Sequence, residues 1–116
     1  MMIVAVATDL MVTSSLEGIA ARHGVTLVEM APQRVESADL AESPRVVLID
    51  LTAVTDIAHL VEVLREQFGR ECQLVAFAPH VHVERIKAAR AAGCNRVITR
   101  GQLQVVAEEL ISQQAG

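Results

Sequence analysis

The chain of 116 residues is almost without aromatic side chains. It has two phenylalanines, Phe68 and Phe77, and neither tyrosine nor tryptophan. Proteins that hold single-stranded nucleic acid stack bases on aromatic rings, so this scarcity argues against that role. The core must instead be built from Val, Leu, Ile and Ala, as in a sheet covered by helices. Cysteine is scarce too. Cys72 and Cys94 stand 22 residues apart with no CxxC, and both adjoin predicted strands. They read as buried thiols in a reducing compartment. Long apolar runs are absent. The apolar start Met1–Ala7 is too short to span a bilayer, and no basic residues precede it as in a signal peptide. A cytoplasmic protein is expected, with no membrane contact. There is no glycine-rich phosphate loop, no GxSxG and no HExxH. Thr13 has no base near it in sequence and is no nucleophile. Repeats, low-complexity tracts and linkers are missing as well. One domain over residues 1–116 is expected, long enough for one core, with no output domain attached.

What is present centres on Arg45-Val46-Val47-Leu48-Ile49-Asp50-Leu51-Thr52. Branched apolar residues in an unbroken run, preceded by Ser43-Pro44, mark a strand buried on both faces. Such strands belong to parallel sheets. Ligands of those sheets gather at the carboxyl ends of the strands, where Asp50 lies.

Similar runs recur along the chain. Residues 2–7 form a first strand ending at Thr8-Asp9. Ser14 and Glu17 have capping-box spacing for a helix running to about His23, closed by Gly24. Val25–Glu29 is a short, edge-like strand. Val35, Ala38 and Ala41 give a thin stripe for a second helix over about 33–41, stopped by Ser43-Pro44. Thr55 or Asp56 caps a third helix. Its Ile57, Leu60, Val61, Leu64 and Phe68 recur with helical period up to Gly69. Gln73–Ala78 is the fourth strand, Val81–Ala92 the fourth helix, and Arg96–Thr99 the fifth strand. Leu103, Val106, Ala107, Leu110 and Ile111 are the inner stripe of a fifth helix.

Five βα units with short loops imply a parallel sheet with right-handed crossovers. The expected architecture is α/β, a flavodoxin-like three-layer α/β/α sandwich with strand order 2-1-3-4-5. That order brings the segments after strands one and three together, and with them Asp9 and Asp50.

Charge is segregated. Residues 84–101 hold five bases (Arg85, Lys87, Arg90, Arg96 and Arg100) against Glu84, while the whole chain carries a formal charge of −4. This stretch is either a solvated helix face or a basic docking surface for an acidic partner. His80 and His82 beside a helix start lack an obvious third metal ligand, and they read as loop residues. His23 and His59 lie on predicted helices as partly exposed groups.

In pattern and spacing nearly the whole chain resembles the receiver domain of bacterial two-component response regulators. The resemblance rests on the βα order and on Leu48-Ile49-Asp50, which falls on the phosphoacceptor position. Asp9 falls on or beside one member of the family's acidic pair, but Thr8 and Leu10 are not acids. Ala78 falls where the family has a Thr or Ser, Arg100 on its Lys, Gly101 on its Pro, and Val54 on a loop Pro. The resemblance implies a weak Mg²⁺ site at Asp9, Asp50 and the carbonyl of Thr52, with Arg100 as phosphate or anion ligand. No cofactor is required. With the acidic pair broken and the hydroxyl lost, it implies a degenerate, or pseudo-, receiver: a stand-alone regulatory protein that acts by protein–protein contact and is not an enzyme. The alternative is a true phosphoacceptor at Asp50. A third reading, small-ligand binding, comes from the likeness of Val47–Thr52 to the strand and loop of STAS domains, whose N-terminal order differs. The expected contact surface is the fourth helix, fifth strand and fifth helix. There Arg85, Lys87, Arg90 and Arg96 would meet Glu108 and Glu109 of a second copy in a homodimer.

Overall fold

The protein is described by a computed structural model covering residues 1–115. Its elements run β1 (Met2–Val6), α1 (Leu10–His23), β2 (Thr26–Met30), β3 (Val46–Asp50), α2 (Ile57–Phe68), β4 (Gln73–Ala78), α3 (Val83–Ala92), β5 (Arg96–Thr99) and α4 (Leu103–Ala115). All five strands are parallel, in the order β2-β1-β3-β4-β5. This is the expected flavodoxin-like α/β/α fold. The fourth and fifth predicted helices are α3 and α4.

Alternation along the strands divides the core in two. Ile3, Ala5, Val46, Leu48, Val75 and Phe77 pack with α1 and α4 on one face. Val4, Val6, Val47, Ile49, Leu74 and Ala76 pack with α2 and α3 on the other. Val46 to Ile49 are all essentially inaccessible, which explains why β3 reads as an unbroken apolar run. Asp50 continues the parity of Val46 and Leu48, so its side chain stands on the α1/α4 side.

Two expectations fail. The second helix does not form. Only a 3-10 turn, Pro32–Arg34, lies between β2 and β3. Val35 is fully buried and Leu40 packs partly against the same core. A spacing of five does not return to one helical face, and the remaining residues offer nothing else to bury. The Ser37 hydroxyl instead donates to the Arg34 carbonyl at 3.4 Å, the kind of local bond that competes with a helix. Nor does α1 begin at Ser14. It begins one turn earlier, capped by Asp9, and Ser14 and Ser15 lie inside it. In a smaller correction, α3 starts at Val83 rather than Val81. Of the two expected caps for α2, Asp56 is the one used. Gly24 (φ 66°) ends α1 in left-handed conformation, as the sequence suggests, and Gly93 (φ 100°) ends α3 in the same way.

Candidate functional site

Asp50 ends β3 and is 2% exposed. Its Oδ1 accepts from the backbone N–H of Thr52 at 3.0 Å and from the Thr52 hydroxyl at 2.7 Å. The carboxylate thereby caps the 3-10 turn Leu51–Ala53. Its other oxygen, Oδ2, is buried and accepts from no protein group. Leaving a buried polar group unpaired costs about 1–3 kcal/mol, and more where it is charged. Oδ2 is therefore the one atom of this carboxylate free to meet a cation or a donor.

Asp9 has both oxygens engaged. Oδ1 accepts from the Met11 N–H at 2.9 Å as the cap of α1, and Oδ2 accepts from the Arg100 guanidinium at 2.7 Å. The bond from Arg100, with that from Met11 second, holds the Asp9 carboxyl below its ordinary 3.8. In the sheet β1 and β5 are separated by β3 and β4. Their following segments meet because α1 and α4 pack together on one face. Arg100, in the turn leading into α4, therefore reaches back to the cap of α1. The structure joins Arg100 to Asp9, and gives Asp50 to Thr52.

A second arginine shapes the site. Arg85 Nη1 donates to the carbonyls of Leu51 at 2.7 Å and Val54 at 3.0 Å, tying the first turn of α3 to the loop that carries Asp50. Sequence reasoning placed Arg85 on an outward docking face. The available signal was its position: a base in the first turn of a helix opposes the helix dipole, so something else must hold it. Glu108 is engaged within the chain as well. It accepts from Arg22 at 2.6 Å and pairs with His23, both on α1, while its side chain stays 42% exposed. His23 and then Arg22 hold its carboxyl low. Of the six residues expected at an interface, Lys87, Arg90, Arg96 and Glu109 remain exposed and uncommitted to the core. Lys87 comes only within 4.0 Å of Glu84.

The donor set fits Mg²⁺ poorly in this arrangement. The ion takes near-octahedral oxygen ligands, commonly including one or two carboxylates. Here one carboxylate faces an arginine, and only Oδ2 of the other is free. Among the described residues no group of three His, Cys, Asp or Glu side chains converges as metal ligands. That covers His80 and His82 as well. His80 is exposed, and His82 occupies the N-cap position of α3 with Nδ1 buried and unpaired. Ala78, at the end of β4, is fully buried and brings a methyl group to the sheet's carboxyl edge.

No protein-family model and no curated protein matches the sequence. Solved structures do match in fold. One is the receiver domain of a sensor histidine kinase from Pseudomonas aeruginosa PAO1, which has a magnesium ion coordinated in its active-site cleft. The two share a TM-score of 0.74 at 17% identity, over 95% of this chain and 96% of that one. A response regulator from Thermotoga maritima gives a TM-score of 0.74 at 16% identity, over 96% and 97% of the two chains. The receiver domain of TorR, the response regulator of the TMAO respiratory system, gives 0.76 at 15%, over 97% of each. The fold is thus the one that response-regulator receiver domains have. No helix among the described residues is long and apolar enough to cross a membrane.

Proposed function

We propose that this chain is a receiver-fold regulatory protein that works through protein–protein contacts, without efficient phosphotransfer. The observation that carries this reading is the Arg100–Asp9 pair. An arginine occupies the acid that would otherwise help to hold a metal, and its fixed positive charge takes the place of an exchangeable ion. Ala78 supplies no hydroxyl to a phosphoryl group. The Arg100 fork, engaged on Asp9, is not equivalent to a mobile ammonium. Contact with a partner is supported by the surface. Of the exposed large apolar residues, all but Met1 (Leu10, Met11, Val81, Val83 and Val105) lie on segments leaving the carboxyl ends of β1, β4 and β5. The face made by α3, β5 and α4 adds Lys87, Arg90 and Arg96.

One observation favours a second reading, Asp50 as phosphoacceptor: its Oδ2 is free of hydrogen bonds. Incubation with acetyl phosphate and Mg²⁺, followed by intact-mass measurement, separates the two. The first reading expects no phosphoryl adduct. An adduct on the wild type that disappears in Asp50→Asn establishes the second.

A further inference from the structure

The helix that fails to form between β2 and β3 leaves one flank of α2 uncovered. Two adjoining grooves, each of about 350 Å³, run between the Pro32–Glu36 segment and α2, sharing Glu36, His59 and Val63. Val54 and Leu60 add to the apolar floor. The rim is acidic: Asp56 at the N-cap of α2 and Glu62 and Glu66 along it are all exposed, with Glu36 opposite. Only His59 answers them, 3.2 Å from Glu36.

The opposite flank of the same layer has the complementary character. On α3, Val83, Lys87 and Arg90 are exposed at i, i+4 and i+7, so they share one helix face. Val83 is half exposed, an apolar group with nothing covering it. Lys87 lies within 4.0 Å only of Glu84, and Arg90 makes no ion pair among the described residues. The acids that α4 was expected to offer this stripe are reduced to Glu109, because Glu108 is bound to α1. The larger acidic counterpart is the α2 groove.

Resting on the reading of α3 as a contact surface, we infer that the occupant of the α2 groove is a second copy of this chain. It presents the Val83–Lys87–Arg90 stripe, with the valine on the apolar floor and the two bases against Glu62 and Glu66. Acidic and basic stripes lie on opposite flanks, so the contact is head-to-tail. Such a heterologous contact grows rather than closing as a two-fold dimer. Pairing between exposed charges makes it weak and salt-sensitive.

Sedimentation equilibrium on the full chain tests this, with Glu62→Lys/Glu66→Lys as one variant and Lys87→Glu/Arg90→Glu as another. All four positions are exposed, and circular dichroism melts check that both variants fold. In low salt the wild type's average mass should climb with concentration past that of a dimer, and fall back in high salt. Each variant alone should stay monomeric. An equimolar mixture should associate again, because the basic stripe of one variant meets the acidic groove of the other. A wild type monomeric at every concentration and salt overturns the inference. Loss of association only in Lys87→Glu/Arg90→Glu also overturns it, while leaving the α3–β5–α4 surface in place as the contact. The phosphorylation experiment above is independent of either result.

Discussion

Arg100 and Asp9 are 91 residues apart in sequence and 2.7 Å apart in space. Beside this pair, Oδ2 of Asp50 is the one buried carboxylate oxygen without a partner among the described residues. Both side chains of the pair are about a third exposed, so solvent and salt screen the attraction. The pair matters more for what it occupies than for what it adds to stability.

The free oxygen of Asp50 predicts the effect of making the side chain neutral. In Asp50→Asn the amide oxygen can still accept from Thr52, and the uncharged NH₂ replaces a buried oxygen that has no donor. Urea unfolding should show the variant equal to the wild type or more stable, by about 1 kcal/mol or more. A clear loss of stability would mean that Oδ2 holds a partner worth keeping.

Arg85 predicts a local effect. Arg85→Ala removes both bonds to the Leu51 and Val54 carbonyls, so amides in the loop after β3 should lose hydrogen-exchange protection. Lys87→Ala, two residues further along α3 and making no such bond, should leave that loop unchanged. Equal protection in the two variants would show that Arg85 does not tie the loop.

Arg65 predicts a larger, global loss. Its guanidinium donates to the carbonyls of Gly69, Arg70 and Cys72 and to Asn95 Oδ1, and that same Asn95 oxygen accepts from the Leu74 N–H. It joins the end of α2 to the starts of β4 and β5. Arg65→Ala should cost about 2 kcal/mol in chemical denaturation, since bonds to a charged group are lost and carbonyls are left unpaired. A change within a few tenths of a kcal/mol would mean that water replaces it fully.

The pH profile carries two opposite signs. Asp9 is held below its ordinary 3.8, so its contribution is present above that value and is lost as pH falls through the lower folded one. Glu29, on β2, is pushed up from 4.5 to about 6 by the neighbouring Glu17 carboxyl and, less, by burial. Its contribution is fully present below 4.5 and is lost as pH rises through about 6. Thermal melts of Glu29→Gln should therefore lose the decline across that upper range, and melts of Asp9→Asn a small part of the acid decline, which Glu108 shares. Profiles parallel to the wild type would contradict both assignments.

The sheet was legible in the sequence because its three central strands, β1, β3 and β4, are buried on both faces and leave unbroken apolar runs. The edge strand β2 showed in its exposed Thr26 and Glu29. The segment before β3 misled because Val35, Ala38 and Ala41 have nearly helical spacing, while the groups it buries are Val35 and, in part, Leu40. Asp50 was legible because strand order alone fixes which residues end central strands. The partner of Arg100 was not, since it depends on α1 and α4 packing across two intervening strands. The intramolecular partners of Glu108 and Arg85 were hidden for the same reason: a charge pattern along one helix does not reveal which neighbouring element takes the charge.

The central claim is that Arg100 stands in for a metal at Asp9. A calorimetric titration of Mg²⁺ into the wild type and into Arg100→Gln tests it most directly. The wild type should show no saturable binding, and Arg100→Gln should gain a site that disappears when Asp50→Asn is added. Saturable binding by the wild type, abolished by Asp50→Asn alone, would contradict the claim.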